Sequence, residues 1–248
     1  MALTNDLMKY LFGIYQWLIA TPILVVLTII IALATAIGSM LFGGRWWGYY
    51  PPSFWAKCWC WLLFVRVKVE NREVIDPHSS YVFAANHQGA YDIYSIYGFL
   101  GHNFKWMMKK SLEKVPMVGL ACRCAGHIMV DHSSAAAVKK TMKTAESRLR
   151  GGVSLVVFPE GTRTRTGRMG VFKRGAFRLA VEFGLPIVPI TINGSFDVMP
   201  RTTYRIKPGR ITLTIHEPIY PASDGHDLDE VMAQCRQAIS SSLEPRYQ

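Results

Sequence analysis

A histidine and an aspartate lie close together in the sequence Asn-His-Gln-Gly-Ala-Tyr-Asp, which follows a short apolar run. His87 and Asp92 are five positions apart, so on one continuous helix they would point about 140° away from each other. They meet if His87 lies in the turn before a helix and Asp92 lies in the first turn. Asp92 then accepts the Nδ1 proton and leaves Nε2 free as a base, although a purely structural pair is also compatible with this spacing.

A second polar motif, Phe-Pro-Glu-Gly-Thr-Arg-Thr at residues 158–164, also follows an apolar run. Residues 163–178 contain six basic side chains and no acidic one. Gly161 allows the backbone to approach a ligand closely, and the Arg163 guanidinium presents a planar set of donors that suits phosphate oxygens. A solvated basic loop is the alternative, but the Pro-Glu-Gly turn at a strand end favours an anion-binding site.

The elements that must position these motifs alternate between short apolar runs and amphipathic stretches from residue 65 onward. The apolar periodicity predicts helices that begin at Ser133 and at Asp227. It also predicts seven strands, at residues 65–69, 81–85, 104–108, 128–130, 154–158, 187–192 and 210–215. We therefore expect a single α/β domain over residues 65–248.

The first 64 residues are expected to anchor the chain in a membrane. Residues 10–44 carry no charged side chain. Residues 23–42 form an apolar run that would cross the ~30 Å hydrocarbon layer as a helix. Pro22 is expected to break the helix there, so that residues 10–21 lie at the interface. A secretory signal fits poorly because the apolar run is too long.

The charge distribution predicts which side of the membrane the domain occupies. Asp6 and Lys9 cancel in the first 44 residues, so the whole net charge of +11 lies beyond them. A basic and aromatic cluster over residues 45–61 is typical of the headgroup level. The α/β domain is therefore expected on the cytoplasmic face of the cell (inner) membrane. A shallow reentrant helix pair would give the same sidedness, and a Trp-rich core helix is the remaining alternative.

The composition excludes several classes of protein. Half of the 248 residues are hydrophobic and 18% are charged, which excludes an intrinsically disordered chain. The excess of 28 basic over 17 acidic residues favours partners that carry phosphate. We expect no nucleic acid among them, because no nucleic-acid-binding motif accompanies the basic residues. The five cysteines lack the spacing of a zinc site, so we expect reduced thiols and no metal.

Together and in this order, the motifs resemble those of the glycerolipid acyltransferase family, most closely its 1-acyl-sn-glycerol-3-phosphate acyltransferase branch. Asn86-His87-x4-Asp92 corresponds to the first motif of the family and residues 158–163 to the third. Val188, Pro189 and Ile190 correspond to the fourth, the strand thought to line the acyl site. The stretch that contains Lys109 and Lys110 resembles the one before the second motif.

The resemblance implies a mixed sheet flanked by helices, as in glycerol-3-phosphate acyltransferase. It implies transfer of a fatty acyl group from acyl-CoA or acyl carrier protein to the sn-2 hydroxyl of 1-acyl-sn-glycerol 3-phosphate (lysophosphatidic acid), a membrane lipid. His87 would be the general base, Asp92 would orient it, and oxyanion donors would come from backbone N–H groups after His87. Apart from the thioester co-substrate, no cofactor is implied.

The resemblance also implies a phosphate site formed by Arg163, with Glu160, Gly161 and Thr162 beside it. The second motif of the family normally ends in arginine, but this chain has His132 there. A neutral imidazole offers one donor and no full charge. We therefore expect Arg163 and a lysine of the 109–110 pair to bind most of the phosphate, and Glu160 to orient Arg163 or a glycerol hydroxyl.

Two other interpretations remain open at this level. Within the family, the acceptor could be a different lysolipid, such as a lyso-ornithine lipid or a lysophospholipid with a larger headgroup. Outside enzymes, the chain could be a membrane tether that binds anionic lipid through the basic residues of 163–178, in which case His87 and Asp92 would be dispensable. The choice between acyl-CoA and acyl carrier protein is also open.

Overall fold

The computed structural model describes residues 2–130, 141, 143–145, 147–149, 152–221 and 228–248. The N-terminal helices are α1 (Ala2–Tyr15), a π-helical turn (Gln16–Ala20), α2 (Thr21–Phe42) and α3 (Tyr50–Leu62). The described strands are β1 (Val65–Glu70), β2 (Val82–Ala85), β3 (Phe104–Lys109), β4 (Ile128–Val130), β5 (Ser154–Val157), β6 (Ile187–Asn193) and β7 (Gly209–Ile215). The other described α-helices are α4 (Tyr91–Phe99), α5 (Val118–Cys124), α6 (Arg174–Glu182), α7 (Ser195–Val198) and α8 (Leu228–Ser242).

The strands form one mixed sheet in the order β1-β7-β6-β2-β5-β3-β4. Among the described strand pairs, only β6 and β7 are antiparallel. All seven predicted strands are confirmed, with ends that differ by at most one residue. The helices predicted from Ser133 and from Asp227 begin outside the described residues, but α8 follows the second of these positions directly.

Helices cover both faces of the sheet. Successive residues of a strand point to opposite faces, so Val188 and Ile190 of β6 pack into the core beneath α3 and α4, while Ile187 packs into the core beneath α6 and α8. Both cores consist of buried aliphatic and aromatic side chains. Strands buried on both faces read as continuous apolar runs, which is why the sequence showed them so clearly.

The parallel pairing brings the two polar motifs to one edge of the sheet. β2 and β5 are neighbours with Ala84 level with Val157. Both strands therefore end at the same edge, where β2 leads into the His87 motif and β5 leads into the motif at residues 158–164. A crevice at the carboxyl ends of parallel strands is the usual place for a ligand in an open α/β sheet.

The predicted helix break at Pro22 is wrong. The Thr21 N–H donates to the Gln16 carbonyl five residues earlier, which is the bond of a π-helix. This wider turn accommodates a proline that lacks an N–H and would otherwise crowd the preceding turn. Gln16, which is buried, binds the Tyr204 carbonyl through Nε2 at 3.1 Å and the Ile206 N–H through Oε1 at 3.1 Å. The polar side chain in the apolar run thus ties the helix to the α/β domain.

α2 lies along the domain with one side buried and one side exposed. It packs against α3 and α5, and Trp55 of α3 donates to the Thr28 hydroxyl at 2.8 Å. Its buried side consists of Leu24, Ala32, Thr35, Ala36, Gly38 and Ser39. Its exposed apolar side chains are Ile23, Val25, Val26, Ile29, Ile30, Leu33, Ile37, Met40, Leu41 and Phe42. By length and composition, Asp6–Phe42 (37 residues) is the one described helix that could cross a membrane.

The turn between α2 and α3, residues 43–49, is fixed to the sheet by side chains of the domain. The Lys105 Nζ donates to the Gly44 carbonyl and the Tyr97 hydroxyl donates to the Gly48 carbonyl, each at 2.8 Å. Burial lowers the pKa of Lys105 to about 8. The N-terminal helices are thus bonded to the domain at both ends of α2, through Gln16 and through this turn.

Candidate active site

His87 and Asp92 adopt the arrangement that the sequence predicted. The Asn86 side chain fixes the end of β2, because it donates to the Ile192 carbonyl at 2.9 Å and accepts from the Ile192 N–H at 2.7 Å. His87 lies in the turn that follows, and Asp92 lies in the first turn of α4. The Nδ1 of His87 is 2.7 Å from the Oδ2 of Asp92. The imidazole and the carboxylate therefore form a dyad.

The hydrogen bonds of Asp92 decide which nitrogen of His87 carries the proton. Asp92 is fully buried, and its Oδ2 also accepts from the N–H groups of Gln88 at 2.7 Å and Gly89 at 2.9 Å. An ionised carboxylate only accepts hydrogen bonds, so Nδ1 must be the donor. The His87 side chain is 13% exposed, and its Nε2 makes no hydrogen bond to a described residue. Nε2 is therefore the basic nitrogen.

Two aromatic rings hold the imidazole plane. The Phe158 ring stacks on His87 with a centroid distance of 3.9 Å and an interplanar angle of 8°. Trp106 of β3 stacks in turn on Phe158, with a centroid distance of 5.6 Å. The bond to Asp92 fixes one edge of the imidazole and the stack fixes its plane, so His87 is held for a reaction at Nε2. Phe158 was noted only as part of a motif, and its contact with His87 had no signal in the sequence.

Glu160 binds backbone N–H groups, and Arg163 is not among its hydrogen-bond partners. Its Oε1 accepts from the His87 N–H at 2.8 Å, and its Oε2 accepts from the Gly170 N–H at 2.7 Å. Burial raises the pKa of Glu160, while these two hydrogen bonds lower it. The expectation that Glu160 orients Arg163 therefore has no counterpart among its hydrogen bonds. Instead the carboxylate joins the loop at residues 158–164 to the His87 backbone.

The loop after β5 is bonded to His87 from a second direction. The Thr164 N–H donates to the His87 carbonyl at 2.9 Å. Gly161 has a φ of +71°, a backbone conformation that favours glycine. Thr162 accepts from Arg201 through its hydroxyl at 3.0 Å. The motif at residues 158–164 is thus next to His87.

Arg163 is close enough to α4 to act electrostatically on Tyr94. Burial raises the pKa of the Tyr94 hydroxyl, and the positive charge of nearby Arg163 acts in the opposite direction. Tyr94 is two residues beyond Asp92 in α4, and its ring stacks on Trp59 at 5.0 Å. The half-buried Arg163 guanidinium therefore supplies a positive charge at the same edge of the sheet as the dyad.

The other predicted site residues have different surroundings. Lys109 and Lys110 are exposed at the carboxyl end of β3, on the same edge as His87 but beyond β5. His132 lies outside the described residues. Val188, Pro189 and Ile190 are buried in β6, where they are level with residues 83–85 of β2. They support the strand that leads to His87.

The backbone N–H groups directly after His87 are already engaged. Those of Gln88 and Gly89 bind Asp92, and that of Ala90 donates to the Met199 carbonyl at 3.2 Å. Gly89 is closely packed, since a Cβ there would lie 2.5 Å from the Ser195 hydroxyl. Residues 88–90 therefore do not supply the expected oxyanion donors, because the N–H groups of residues 88 and 89 bind Asp92 and that of residue 90 binds a backbone carbonyl.

The cysteines show no features of a nucleophile or a metal site. All five are free thiols. Burial raises the pKa of Cys60 and Cys235 to about 12, so both stay protonated at neutral pH. Within the part of the chain that the structure describes, no three His, Cys, Asp or Glu side chains are grouped so that they could hold a metal ion.

The C-terminal segment supports the loop that Glu160 binds. Arg236 of α8 donates to the Gly170 carbonyl, and its guanidinium lies over the Phe172 ring at 5.4 Å. Gly170 in turn donates to Glu160, and a Cβ at Gly170 would lie 2.9 Å from the Glu160 Oε2. Arg236 lies far from the motifs in sequence and has no motif of its own, so sequence reasoning missed it. A chain of contacts leads from α8 through residue 170 to Glu160 and the His87 backbone.

Replacing Arg236 by methionine is expected to lower kcat on the order of tenfold, because small displacements of reacting groups are costly, while KM for both substrates stays within about twofold. Methionine keeps apolar contact with Phe172 but cannot hold Gly170. Steady-state kinetics of the acyl transfer that the sequence motifs predict would measure the effect. Gln237→Met, at an exposed neighbour on the same helix, serves as the control. An equal loss in both variants, or additive losses in the Arg236→Met/Glu160→Gln double variant, would contradict positioning through Glu160.

Known proteins are similar to this chain in both sequence and fold. The acyltransferase family model matches residues 66–193. A 1-acyl-sn-glycerol-3-phosphate acyltransferase of Chlamydomonas reinhardtii is 30% identical over 237 residues, which cover 95% of this chain and 69% of that protein. A chloroplastic 1-acyl-sn-glycerol-3-phosphate acyltransferase of Arabidopsis thaliana is 31% identical over 196 residues, or 77% of this chain and 54% of that protein.

The fold is similar to that in the crystal structure of the 1-acyl-sn-glycerophosphate (LPA) acyltransferase PlsC from Thermotoga maritima. The TM-score is 0.75 at 25% sequence identity, and the match covers 95% of this chain and 96% of that one. The sheet and the N-terminal helices therefore have a counterpart in a solved structure. The family model matches more than half of this chain, and the His-Asp dyad lies at the same edge of the sheet as the loop that contains Arg163. This chain therefore belongs to the acyltransferase family.

Proposed function

We propose that the protein transfers a fatty acyl group from an acyl thioester to the sn-2 hydroxyl of 1-acyl-sn-glycerol 3-phosphate, forming phosphatidic acid. The observation that carries the proposal is the 2.7 Å contact between His87 and Asp92, beside a loop that is bonded to the His87 backbone on both sides. This loop contains Arg163. The names of the relatives supply the acceptor, and the dyad supplies a base for its hydroxyl.

The reaction begins with proton transfer to His87. Nε2 accepts the proton of the sn-2 hydroxyl while that oxygen attacks the thioester carbonyl carbon. Asp92 accepts from Nδ1 and stabilises the imidazolium that forms. General-base catalysis of this kind contributes ~10²–10⁴-fold. The stacked Phe158 ring keeps the imidazole plane in place throughout.

The tetrahedral intermediate then collapses. Its C–S bond breaks, and the ester carbonyl re-forms. The leaving thiolate takes the proton from Nε2 of His87, which restores the neutral imidazole and releases a free thiol. One thioester and one hydroxyl are consumed, and one ester and one thiol are produced, so no other co-reactant is needed. We infer that the protein uses acyl-CoA or acyl carrier protein as co-substrate and no further cofactor.

Phosphate binding positions the acceptor. We assign the phosphate chiefly to Arg163, whose planar donors match phosphate oxygens, with Lys109 or Lys110 adding charge from β3. His132 contributes less. Fixing the phosphate at the loop holds the glycerol hydroxyl near Nε2 and converts an encounter in the bilayer into an intramolecular reaction. Glu160 acts indirectly, since both of its oxygens bind backbone N–H groups.

We further infer that the N-terminal helices lie in one leaflet of the cell (inner) membrane, with the catalytic domain on its cytoplasmic face. α2 is bonded to the domain at both ends and turns an apolar side outward. A helix held along the domain in this way inserts its outer side into the interface. The acceptor and the product keep their acyl chains in lipid, which avoids exposing them to water at ~0.8 kcal/mol per methylene.

Introducing charge on the exposed side of α2 should release the protein from membranes. Ile30→Glu/Ile37→Glu is expected to lower the membrane-bound fraction at least tenfold in vesicle flotation, because two carboxylates would enter the apolar layer. Thermal unfolding should be unchanged, since both side chains are exposed. Tyr220→Glu, at an exposed site in the domain, is the control. A double variant that remains fully membrane-bound would contradict the in-plane arrangement.

The proposed reaction is tested directly with purified protein in mixed micelles. Lysophosphatidic acid is supplied with acyl-CoA or with acyl carrier protein, and the lipid product is identified by mass. Phosphatidic acid is the expected product. If a lysolipid with a different headgroup is acylated faster, the acceptor is that lysolipid and the role of the dyad is unchanged. If neither donor is consumed with any lysolipid, the proposal is wrong.

A further inference from the structure

A cleft of about 520 Å³ opens at the end of the sheet opposite His87. Asn103, which precedes β3, and Gly152, which precedes β5, form its floor. His87 follows the carboxyl end of β2, so the length of the sheet separates the cleft from the dyad. The cleft is therefore a separate site, and none of the proposed catalytic residues lines it.

Basic side chains surround the cleft. Arg45 and Lys57 are among its lining residues, and none of the described lining residues is acidic. The Arg72 guanidinium packs against Gly101 in the wall and donates to the Phe99 carbonyl. Two basic lining residues and a third beside the wall give this partly enclosed space a positive charge that attracts anions.

The rim of the cleft is aromatic and continuous with the apolar side of α2. Phe42, the last residue of α2, is 74% exposed, and Trp46 and Tyr50 are 53% and 50% exposed. The rings of Trp46 and Tyr50 lie 5.2 Å apart. Exposed aromatic rings of this kind lie at the level of the lipid headgroups. The cleft therefore opens where acyl chains end and phosphates begin.

The geometry points to a binding site for the headgroup of an anionic phospholipid in this cleft, distinct from the site of acyl transfer. Arg45 and Lys57 bind the phosphodiester, and the acyl chains run along Phe42 and Trp46 onto the outer side of α2. The volume is within the range of sites for small ligands. A free inorganic anion would use the basic residues but would leave the aromatic rim exposed. The combination favours a lipid, which fixes the position of the protein in the leaflet and takes no part in the reaction.

The turn that carries Arg45 is already held in position for this ligand. Asn103 donates through Nδ2 to the Arg45 carbonyl at 2.8 Å, and Lys57 packs against Gly98 of α4. The backbone of the basic residues is thus fixed from the domain side before any lipid arrives. A site formed in advance loses little conformational entropy on binding.

The test measures binding of dihexanoyl phosphatidylglycerol to the full chain in neutral detergent by isothermal titration calorimetry. Saturable binding is expected, with no comparable binding of dihexanoyl phosphatidylcholine. Arg45→Gln/Lys57→Gln should weaken the affinity on the order of tenfold or more, because two charges near the phosphate are lost. Arg66→Gln/Lys143→Gln removes two exposed charges elsewhere and should leave the affinity unchanged. Arg45→Lys/Lys57→Arg keeps the charge and should retain binding.

Two further outcomes separate this site from the proposed active site. Phosphatidylglycerol binding should persist in Arg163→Ala, since that residue does not line the cleft. Loss of binding in Arg163→Ala, or equal losses in the two charge-removing double variants, would overturn the inference. So would displacement of the lipid by equimolar inorganic phosphate. None of these readouts requires acyl transfer. The lipid site can therefore be disproved while the proposed function stands, and the proposed function can be disproved while the lipid site stands.

Discussion

Replacement of His87 by alanine is expected to lower kcat by ~10²–10⁴-fold, the usual contribution of a general base. Without the imidazole, the sn-2 hydroxyl must lose its proton to water. KM for the acceptor should change little, because Arg163 and the lysines still bind the phosphate. Release of thiol from acyl-CoA, followed with a thiol reagent in mixed micelles, measures the effect. A variant with wild-type turnover would exclude His87 from the chemistry.

The protein should remain folded when His87 is replaced. Asp92 keeps the N–H groups of Gln88 and Gly89 as donors, so its buried Oδ2 stays satisfied. His78→Ala, at an exposed loop position, is the matched control and should retain full activity. Thermal unfolding of both variants, monitored by circular dichroism, separates loss of the base from loss of the fold.

Replacement of Arg163 by alanine is expected to raise KM for lysophosphatidic acid roughly ten- to hundredfold. Charge-assisted hydrogen bonds are worth about 1.5–3 kcal/mol, and 1.4 kcal/mol corresponds to a factor of ten. The variant should also lose its preference for lysophosphatidic acid over 1-acylglycerol, which lacks the phosphate. Initial rates over a range of concentrations of each acceptor measure both effects. Arg66→Ala, an exposed arginine on β1, is the control.

The reciprocal change is made at His132. His132→Arg would add a full charge where the second motif of the family has arginine, and it should lower KM for lysophosphatidic acid. In the Arg163→Ala background it should restore part of the lost affinity. If neither Arg163→Ala nor His132→Arg changes KM, the phosphate is bound elsewhere and the assignment is wrong.

The strands and the dyad were predictable because their signals are local. β2, β5 and β6 are buried on both faces, so each is a short and mainly apolar run. The five-residue separation of His87 and Asp92 allowed a contact only across a turn and the start of a helix, and the structure has that arrangement. The parallel order of β2 and β5 then brings Arg163 to the same edge.

The helix break predicted at Pro22 is wrong because the N-terminal helix is held by contacts with residues that are distant in the sequence. Pro22 in an apolar run normally indicates a kink or an end. The π-helical turn avoids both, and buried Gln16 binds backbone groups at residues 204 and 206. A single sequence contains no signal for a pairing across nearly the whole length of the chain.

The support of the site was missed for a similar reason. The motif predicted that Glu160 orients Arg163 or a glycerol hydroxyl, but its oxygens bind the N–H groups of His87 and Gly170. Every residue other than proline has a backbone N–H group, so the sequence does not indicate which of them a carboxylate binds. In the sequence, Arg236 is one of many arginines. Only the structure shows that it donates a hydrogen bond to the carbonyl of residue 170.

The attachment of α2 to the domain at both ends has a consequence for how substrate arrives. With Gln16 bonded at one end and Gly44 and Gly48 bonded at the other, there is no flexible tether between anchor and reaction centre. In the in-plane arrangement proposed above, the imidazole would stay at a constant height above the bilayer midplane, and its supply of acceptor would depend on two-dimensional diffusion. Lipid of the distant monolayer would then reach it only after flip-flop, and product would be delivered to the monolayer from which the acceptor came.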